Sequence, residues 1–135
     1  MRAIVFKADL FSTEADRKRS ECVLRLLLAA LVETNIDYLR RHPSTPSIYA
    51  SGVRYRREEG TEEWKAIPDV IRDRSGDCED LASWRVAELR IKGIDARPFL
   101  RYRTAGGFSL YHVLLQLPGG KFEDPSRKLG MGSEA

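Results

Sequence analysis

Three residues of this chain have the types and the order needed for thiol acyl-transfer chemistry. They are Cys78, His112 and Asp124. In such chemistry a thiolate attacks a carbonyl carbon, an imidazole moves the proton, and a carboxylate holds the imidazole in its working tautomer. His42, the other histidine, lies beside Pro43 in a loop-like sequence, so His112 is the candidate base. The sequence therefore predicts a catalytic triad, provided that the fold brings the three side chains together.

The position of Cys78 favours a reactive thiol, but its neighbours oppose one. A helix is predicted to begin here, and the free N–H groups of a helix start favour a thiolate and can hold an oxyanion. Asp77, Glu79 and Asp80 surround the cysteine, and like charge raises the pKa of a thiol. A helix terminus contributes only about 0.3–1 kcal/mol, less than one pKa unit. We therefore expect an activating positive charge from a protonated His112, an arginine or a bound cation.

The same residues also have structural interpretations. Asp77 can cap the helix, and Glu79 and Asp80 complement its dipole whether or not Cys78 reacts. A cysteine is often a small buried hydrophobe. We expect that role for Cys22, which lies in an apolar helical run. Capping explains the acids without explaining Cys78.

Apolar residues at steps of three and four predict the helices that position the site. The first helix is expected to follow a cap at Ser12 or Thr13 and to end before Pro43. A short helix is predicted over 68–72, with Pro68 in its first turn. The helix from 77 or 78 ends at Gly93. Its apolar face comprises Cys78, Ala82, Val86 and Leu89, and the face of the first helix comprises Leu24, Leu27, Leu28 and Leu31.

The sequence after this helix predicts an antiparallel hairpin that joins the other two candidate residues. A strand at 110–117 is followed by a tight turn at 118–120 and a strand end at 121–124. Cross-strand neighbours lie roughly 4.5–5.5 Å apart at Cβ. We therefore expect His112 and Asp124 to meet across the hairpin. Helices followed by an antiparallel sheet indicate the α+β class.

The composition is that of one globular domain without a targeting segment. The 135 residues are 42% hydrophobic and 32% charged, which is typical of a folded soluble protein. Because 23 basic residues face 20 acidic ones with the signs interspersed, the net charge of +3 does not favour nucleic-acid binding. Arg25 interrupts the apolar run 22–32, which is too short to span a membrane. Two cysteines and the absence of a signal-peptide pattern at 1–10 predict a cytoplasmic protein.

Three segments of the chain resemble the core of transglutaminase-like cysteine enzymes. They are Gly-Asp-Cys-Glu-Asp-Leu-Ala at 76–82, Ala-Glu-Leu-Arg-Ile-Lys-Gly-Ile-Asp-Ala-Arg at 87–97, and the histidine and Asp-Pro-Ser motifs at 112–126. The match spans about residues 64–127. The Gly-Asp-Cys-Glu-Asp form is most similar to the bacterial transglutaminase-like cysteine proteinases.

The resemblance implies a papain-like α+β fold, with N-terminal helices and the nucleophile helix packed on a small antiparallel sheet. It implies a single domain, divided into an N-terminal helix and loop region at 1–63, a catalytic core at 64–127 and a tail at 128–135. Trp64 stands where relatives often carry a tryptophan, and it either lines the cleft or belongs to the core.

The roles that the resemblance implies are nucleophile for Cys78, general base and acid for His112, and orienting carboxylate for Asp124. Some relatives bind calcium through acids beside the cysteine, which would be Asp77 and Glu79 here. No other ligand is identifiable in the sequence, so no metal or cofactor is predicted.

We expect a cysteine protease, amide hydrolase or transglutaminase that acts on a protein or peptide, with water as the default acceptor. The alternative is a catalytically idle scaffold or assembly protein that keeps the fold, since short stand-alone versions resemble proteins encoded near phage structural genes. Nucleic-acid binding is a third hypothesis.

Overall fold

The computed structural model describes residues 4–5, 17–58, 63–105 and 108–132. These residues form a mixed α+β structure, which confirms the predicted class. The chain order is α1 (Arg17–Arg41), a 3-10 turn (Ile48–Ala50), β1 (Arg54–Tyr55), α2 (Ile67–Asp73), β2 (Ser75–Gly76), α3 (Cys78–Ile91), β3 (Arg97–Ala105), β4 (Phe108–Gln116), β5 (Phe122–Glu123) and α4 (Pro125–Lys128). No helix among them is long and apolar enough to cross a membrane.

The long first helix buries one face, as its leucine pattern predicts. Leu24, Leu28, Val32 and Ile36 follow one another at steps of four and are buried along α1. The prediction that Cys22 is buried is wrong, because its side chain is exposed. Two residues correspond to about 200° around a helix, so Cys22 lies on the side opposite Leu24. The predicted caps at 12 and 13 lie outside the described residues.

Helices α2 and α3 begin and end where local signals predict. Pro68 lies in the first turn of α2, and the left-handed Arg74 (φ +58°) ends that helix. Asp77 caps α3, and the helix terminates just before Gly93, whose φ of +82° is a conformation that glycine adopts without strain. The residue that begins α3 is therefore Cys78.

The sheet arrangement contains one pairing that the sequence did not indicate. Strands β3, β4 and β5 form the predicted antiparallel sheet in that order. In addition, β1 pairs with β2 in parallel, Arg54 opposite Ser75 and Tyr55 opposite Gly76. Val53, just before β1, is buried, although the sequence that follows it is strongly charged.

Helix α3 is the centre of the molecule. Between Cys78 and Leu89 every residue except Arg85 is buried, and Trp84 is fully enclosed. Its most extensive packing is against α1 and β4. Because α3 is enclosed on all sides, its first residue is held in a fixed position relative to the sheet.

The predicted tail from residue 128 is part of the core as far as residue 131. Leu129 and Met131 are buried, and Leu129 packs with Ile48 and Val53. The carbonyl oxygen of Leu129 also accepts a hydrogen bond from the Tyr55 N–H at 2.9 Å. The prediction is wrong here because two isolated apolar residues after a short helix carry no periodicity in the sequence.

Candidate active site

The start of α3 is fixed by a reciprocal pair of side-chain caps. Asp77 Oδ1 accepts a hydrogen bond from the Cys78 N–H at 2.7 Å. The Asp77 side chain also accepts from the Asp80 N–H, and Asp80 Oδ2 in turn accepts from the Asp77 N–H at 3.0 Å, so the two side chains form a capping box. The capping role predicted for Asp77 is therefore confirmed, and Asp80, which is expected from the sequence to complement the helix dipole, also takes part in the cap. One consequence is that the Cys78 N–H already has a partner, so it can hold an oxyanion only if Asp77 releases it.

The same two acids anchor the chain on the N-terminal side of the site. Asp77 Oδ2 accepts from the Glu58 N–H at 3.1 Å, and Asp80 Oδ1 accepts from the Lys65 N–H at 2.7 Å. Burial raises the pKa of Asp80 to about 7, although the two backbone N–H groups that it accepts act in the opposite direction. The capping carboxyls thus connect the helix start to residues 58 and 65.

The Cys78 thiol is held in its neutral form. Its side chain is only 8% exposed, and Sγ donates to Glu79 Oε2 at 3.4 Å. Burial raises the pKa of Cys78 well above its ordinary value, and the charges of Glu79 and Asp77 raise it further, while a hydrogen bond from the Val113 backbone acts against them. The direction of this pKa shift agrees with the effect predicted for Asp77 and Glu79.

The Cys78 sulfur lies against an open edge of strand β4. The Leu117 N–H donates to the Lys121 carbonyl, which lies on the β5 side, and alternate N–H groups on a strand point the same way. The Val113 N–H therefore also points to that side. Strand β5 pairs only with residues 115 and 116, so none of the described strands covers this side of Val113. Its N–H is instead directed at Cys78.

His112 and Asp124 form the predicted contact. His112 Nε2 and Asp124 Oδ2 lie 2.8 Å apart, with both side chains largely enclosed. Since Leu115 pairs with Glu123, Asp124 lies diagonally rather than directly across from His112. A diagonal contact of this kind is within reach of an imidazole.

Asp124 has a second function as the N-cap of α4. Its Oδ1 accepts from the Arg127 N–H at 3.4 Å, while Oδ2 faces His112. Burial alone would raise the pKa of Asp124, but the hydrogen bond from His112 and the charges of His112 and Arg127 hold it below its ordinary value. The carboxylate is therefore ionised at neutral pH, and it accepts a hydrogen bond from the Nε2 N–H. Nδ1 of a neutral His112 is then the ring nitrogen with a lone pair.

Cys78 contacts the residue next to His112 rather than the His112 ring. Among the described residues, no hydrogen bond joins Cys78 Sγ to that ring. Val113 and Leu100 pack in the same cluster as Cys78, and the side chain of His112, one residue earlier, alternates to the other face of the strand. From that face an imidazole can reach the sulfur only around the open edge of β4. The structure joins His112 to Asp124 directly, and it joins Cys78 to the adjacent Val113 peptide.

Aromatic side chains pack against the apolar cluster that contains Cys78. Trp64 is half-buried in the cluster that contains Cys78, so it contributes both to the packing around the cysteine and to the surface beside it. The other partly buried members are Tyr55, Tyr102 and Tyr111. The surroundings of the thiol are thus mainly apolar apart from the flanking acids.

The residues beside Cys78 do not fit a calcium ion. Donor atoms of Asp77, Cys78 and Glu79 lie within 4.8 Å of one another. Calcium takes about six to eight oxygen ligands, whereas this group offers two carboxylates and a sulfur. Both Asp77 oxygens already accept backbone N–H groups. The calcium role that the resemblance implies for Asp77 and Glu79 therefore lacks the necessary ligands in the described part of the chain.

Sequence reasoning missed an ionic network next to Asp124. Glu123 Oε2 accepts from Arg85 Nε at 2.7 Å and from the Tyr49 hydroxyl. Arg85 also donates to Glu88, which in turn accepts from the Ile48 N–H. The only sequence signal for it is a glutamate directly before the Asp-Pro motif, which does not identify partners 38 and 74 residues away.

Comparison with protein-family profiles, curated proteins and solved structures gives no match to this chain. The class of protein must therefore be inferred from the geometry of the site. Two features bear on it most directly, the carboxylate-bound His112 and the placement of Cys78 at the start of a buried helix.

Proposed function

We propose that this chain is a thiol-dependent acyl-transfer enzyme of the transglutaminase-like, papain-like kind, acting on an amide bond of a protein or peptide. Cys78 is the nucleophile, His112 the general base and acid, and Asp124 the orienting carboxylate. The observation that carries the proposal is the 2.8 Å contact between His112 Nε2 and Asp124 Oδ2 beside a helix-start cysteine. A protease or amide hydrolase, with water as acceptor, is the simplest form of this activity.

The orientation of the histidine defines the order of proton transfers. With the Nε2 N–H donating a hydrogen bond to Asp124, Nδ1 accepts the Cys78 proton as sulfur attacks the amide carbon. The imidazolium then returns that proton to the leaving amine, so that an acyl thioester and a neutral imidazole remain. Water, deprotonated by the same nitrogen, attacks the thioester and restores the thiol.

The raised thiol pKa shapes this mechanism. A neutral, buried thiol is a poor nucleophile until a base removes its proton. We therefore propose proton transfer to His112 during attack rather than a resting thiolate–imidazolium pair. Catalytic hydrogen bonds are often long before substrate binds, and an approach of the imidazole around the edge of β4 would complete the site.

Alkylation of Cys78 tests the proposal. Because Cys22 is exposed, the measurement uses a Cys22→Ser background and iodoacetamide over a range of pH. His112→Ala should slow alkylation of Cys78 about ten-fold or more near neutral pH, since the base is lost. His42→Ala, which removes an exposed histidine on a separate loop, is the matched control. Equal rates in the wild type and His112→Ala would refute the catalytic role.

The second candidate function is a catalytically idle scaffold with the same fold. The observation in its favour is that the thiol donates to Glu79 while the Cys78 N–H is bound to Asp77. Under this proposal Cys78→Ala preserves stability and partner binding, and the thiol shows no dependence on His112. A loss of peptide hydrolysis in Cys78→Ala would exclude it.

A further inference from the structure

An ion pair connects β5 to the helix that begins with Cys78. Glu123 Oε2 lies 2.7 Å from Arg85 Nε and also accepts from the Tyr49 hydroxyl. Arg85 Nη1 lies 3.1 Å from Glu88 Oε1. The Arg85 guanidinium and the Lys128 ammonium both lie over the Tyr49 ring, at 5.1 and 4.9 Å from its centre. The network therefore joins the segment at 48–49, α3, β5 and α4.

The network is shielded from solvent, unlike most of the ion pairs that the described residues form. The side chains of Arg85 and Glu123 are 17% and 11% exposed, and an enclosed ion pair depends strongly on the presence of both partners. Although burial opposes it, hydrogen bonds from Tyr49 and Arg85 hold the pKa of Glu123 below its ordinary value. Removing Arg85 would therefore leave the Glu123 carboxylate with the Tyr49 hydroxyl and the Lys128 charge alone, without its ion-pair partner on α3.

Strand β5 comprises only Phe122 and Glu123, and its other contacts are with the sheet. Its backbone pairs with β4, and the Phe122 ring, which is 46% exposed, lies against Phe99 and Arg101. Directly after it the chain turns into α4 with Asp124 as the cap. The side chain of Glu123 is thus the attachment of this short segment to α3, about two turns along the helix from Cys78.

We infer that Arg85 and Glu123 are positioning residues that hold Asp124 against His112. The ion pair fixes β5 to α3, and Asp124, the next residue, is then placed with its Oδ2 on His112 Nε2. Because Cys78 and Arg85 lie on the same rigid helix, the pair also fixes the carboxylate relative to the nucleophile. The catalytic consequence rests on the proposed function, but the placement of Asp124 does not.

The ring nitrogens of His112 provide the readout. Nitrogen-15 NMR of the wild type should show a single neutral tautomer with the proton on Nε2. Glu123→Gln keeps the shape of the side chain but removes its charge, and it should give a mixture of tautomers, as should Asp124→Asn. Glu88→Gln is the matched control, because it also removes a carboxylate bound to Arg85 but contacts Ile48 rather than β5. It should keep the wild-type tautomer.

Thiol alkylation separates this inference from the proposed function. Glu123→Gln should lower the alkylation rate of Cys78 toward that of His112→Ala, whereas Glu88→Gln should leave it unchanged. A changed tautomer in a protein whose thiol never depends on His112 supports the positioning role and refutes the catalytic one. An unchanged tautomer in folded Glu123→Gln overturns the inference. If that variant does not fold, Arg85→Lys, which keeps the charge but loses the guanidinium geometry, gives the same two readouts.

Discussion

The Cys78 thiol shows how an unfavourable local charge can coexist with a helix-start position. The free N–H groups at the start of α3 favour a thiolate. The first of them, however, donates to Asp77, and the thiol itself donates a hydrogen bond to Glu79. Burial is the largest influence on the thiol pKa, and the two acids add to it. The resting sulfur is consequently protonated, and its reactivity depends on a base.

Neutralising Glu79 should make Cys78 more reactive. Glu79→Gln keeps the size of the side chain but removes a negative charge that raises the thiol pKa. We expect faster iodoacetamide alkylation at pH 7–8 in the Cys22→Ser background, by about ten-fold for each unit that the pKa falls. Glu33→Gln, on the exposed side of α1, should have no effect. A rate in Glu79→Gln that equals that of the parent protein would mean that this charge does not control the thiol.

At the scale of elements, the Asp77 cap connects the helix start to the loop before it. Removing it in Asp77→Ala leaves the Cys78 and Glu58 N–H groups without their side-chain acceptor. Loss of an N-cap costs about 0.5–2 kcal/mol, and we expect a decrease in the free energy of unfolding toward the upper end of that range. Urea denaturation measures it.

A matched control for the Asp77 cap is available in the same chain. Ser47 occupies the N-cap position of the 3-10 turn at Ile48–Ala50, but its side chain makes no capping hydrogen bond. Ser47→Ala should therefore leave the free energy of unfolding nearly unchanged. If both alanine variants lose similar stability, the cost does not come from the capping hydrogen bonds.

The elements that the sequence predicts are those defined by local signals. Helix α3 has its cap and its terminal glycine within its own segment, and the His112–Asp124 contact spans one tight hairpin. The parallel pairing of β1 with β2 joins two-residue strands that are far apart in the sequence. The bond between Tyr49 and Glu123 joins residues separated by 74 positions. Such contacts are decided by tertiary packing, which no local pattern encodes.

The three candidate catalytic residues also differ in whether local sequence or tertiary packing brings them together. The sequence identifies Cys78, His112 and Asp124 as residue types in an order, and the hairpin brings the second and third together. For His112 to act on Cys78, its ring must reach the sulfur around the open edge of β4 beside Val113. That edge is open because β5 pairs only with residues 115 and 116. A strand of two residues is too short for sequence patterns to define.

At the scale of the whole molecule, negative charge is concentrated at one end of its most buried helix. Asp77, Glu79 and Asp80 are all buried, and together with Cys78 they form the N-terminal turn of α3. Burying carboxyls is costly unless they are hydrogen-bonded or protonated. Backbone N–H groups bind Asp77 and Asp80, and this arrangement links the stability of the whole fold to pH.

Asp80 should make the protein less stable as the pH rises from about 4 to 7. Its folded pKa of about 7 lies above the ordinary value of 3.8, so the native state binds the proton more tightly than the unfolded chain. The free energy of unfolding then falls with pH, by at most about 1.4 kcal/mol per unit, and levels off above pH 7.

In Asp80→Asn this contribution is absent. The stability difference between wild type and variant, measured by urea denaturation, should therefore shrink from pH 5 to 7.5. Asp37→Asn, an exposed change on α1, should give a curve parallel to the wild type, and a parallel curve for Asp80→Asn would contradict the assignment.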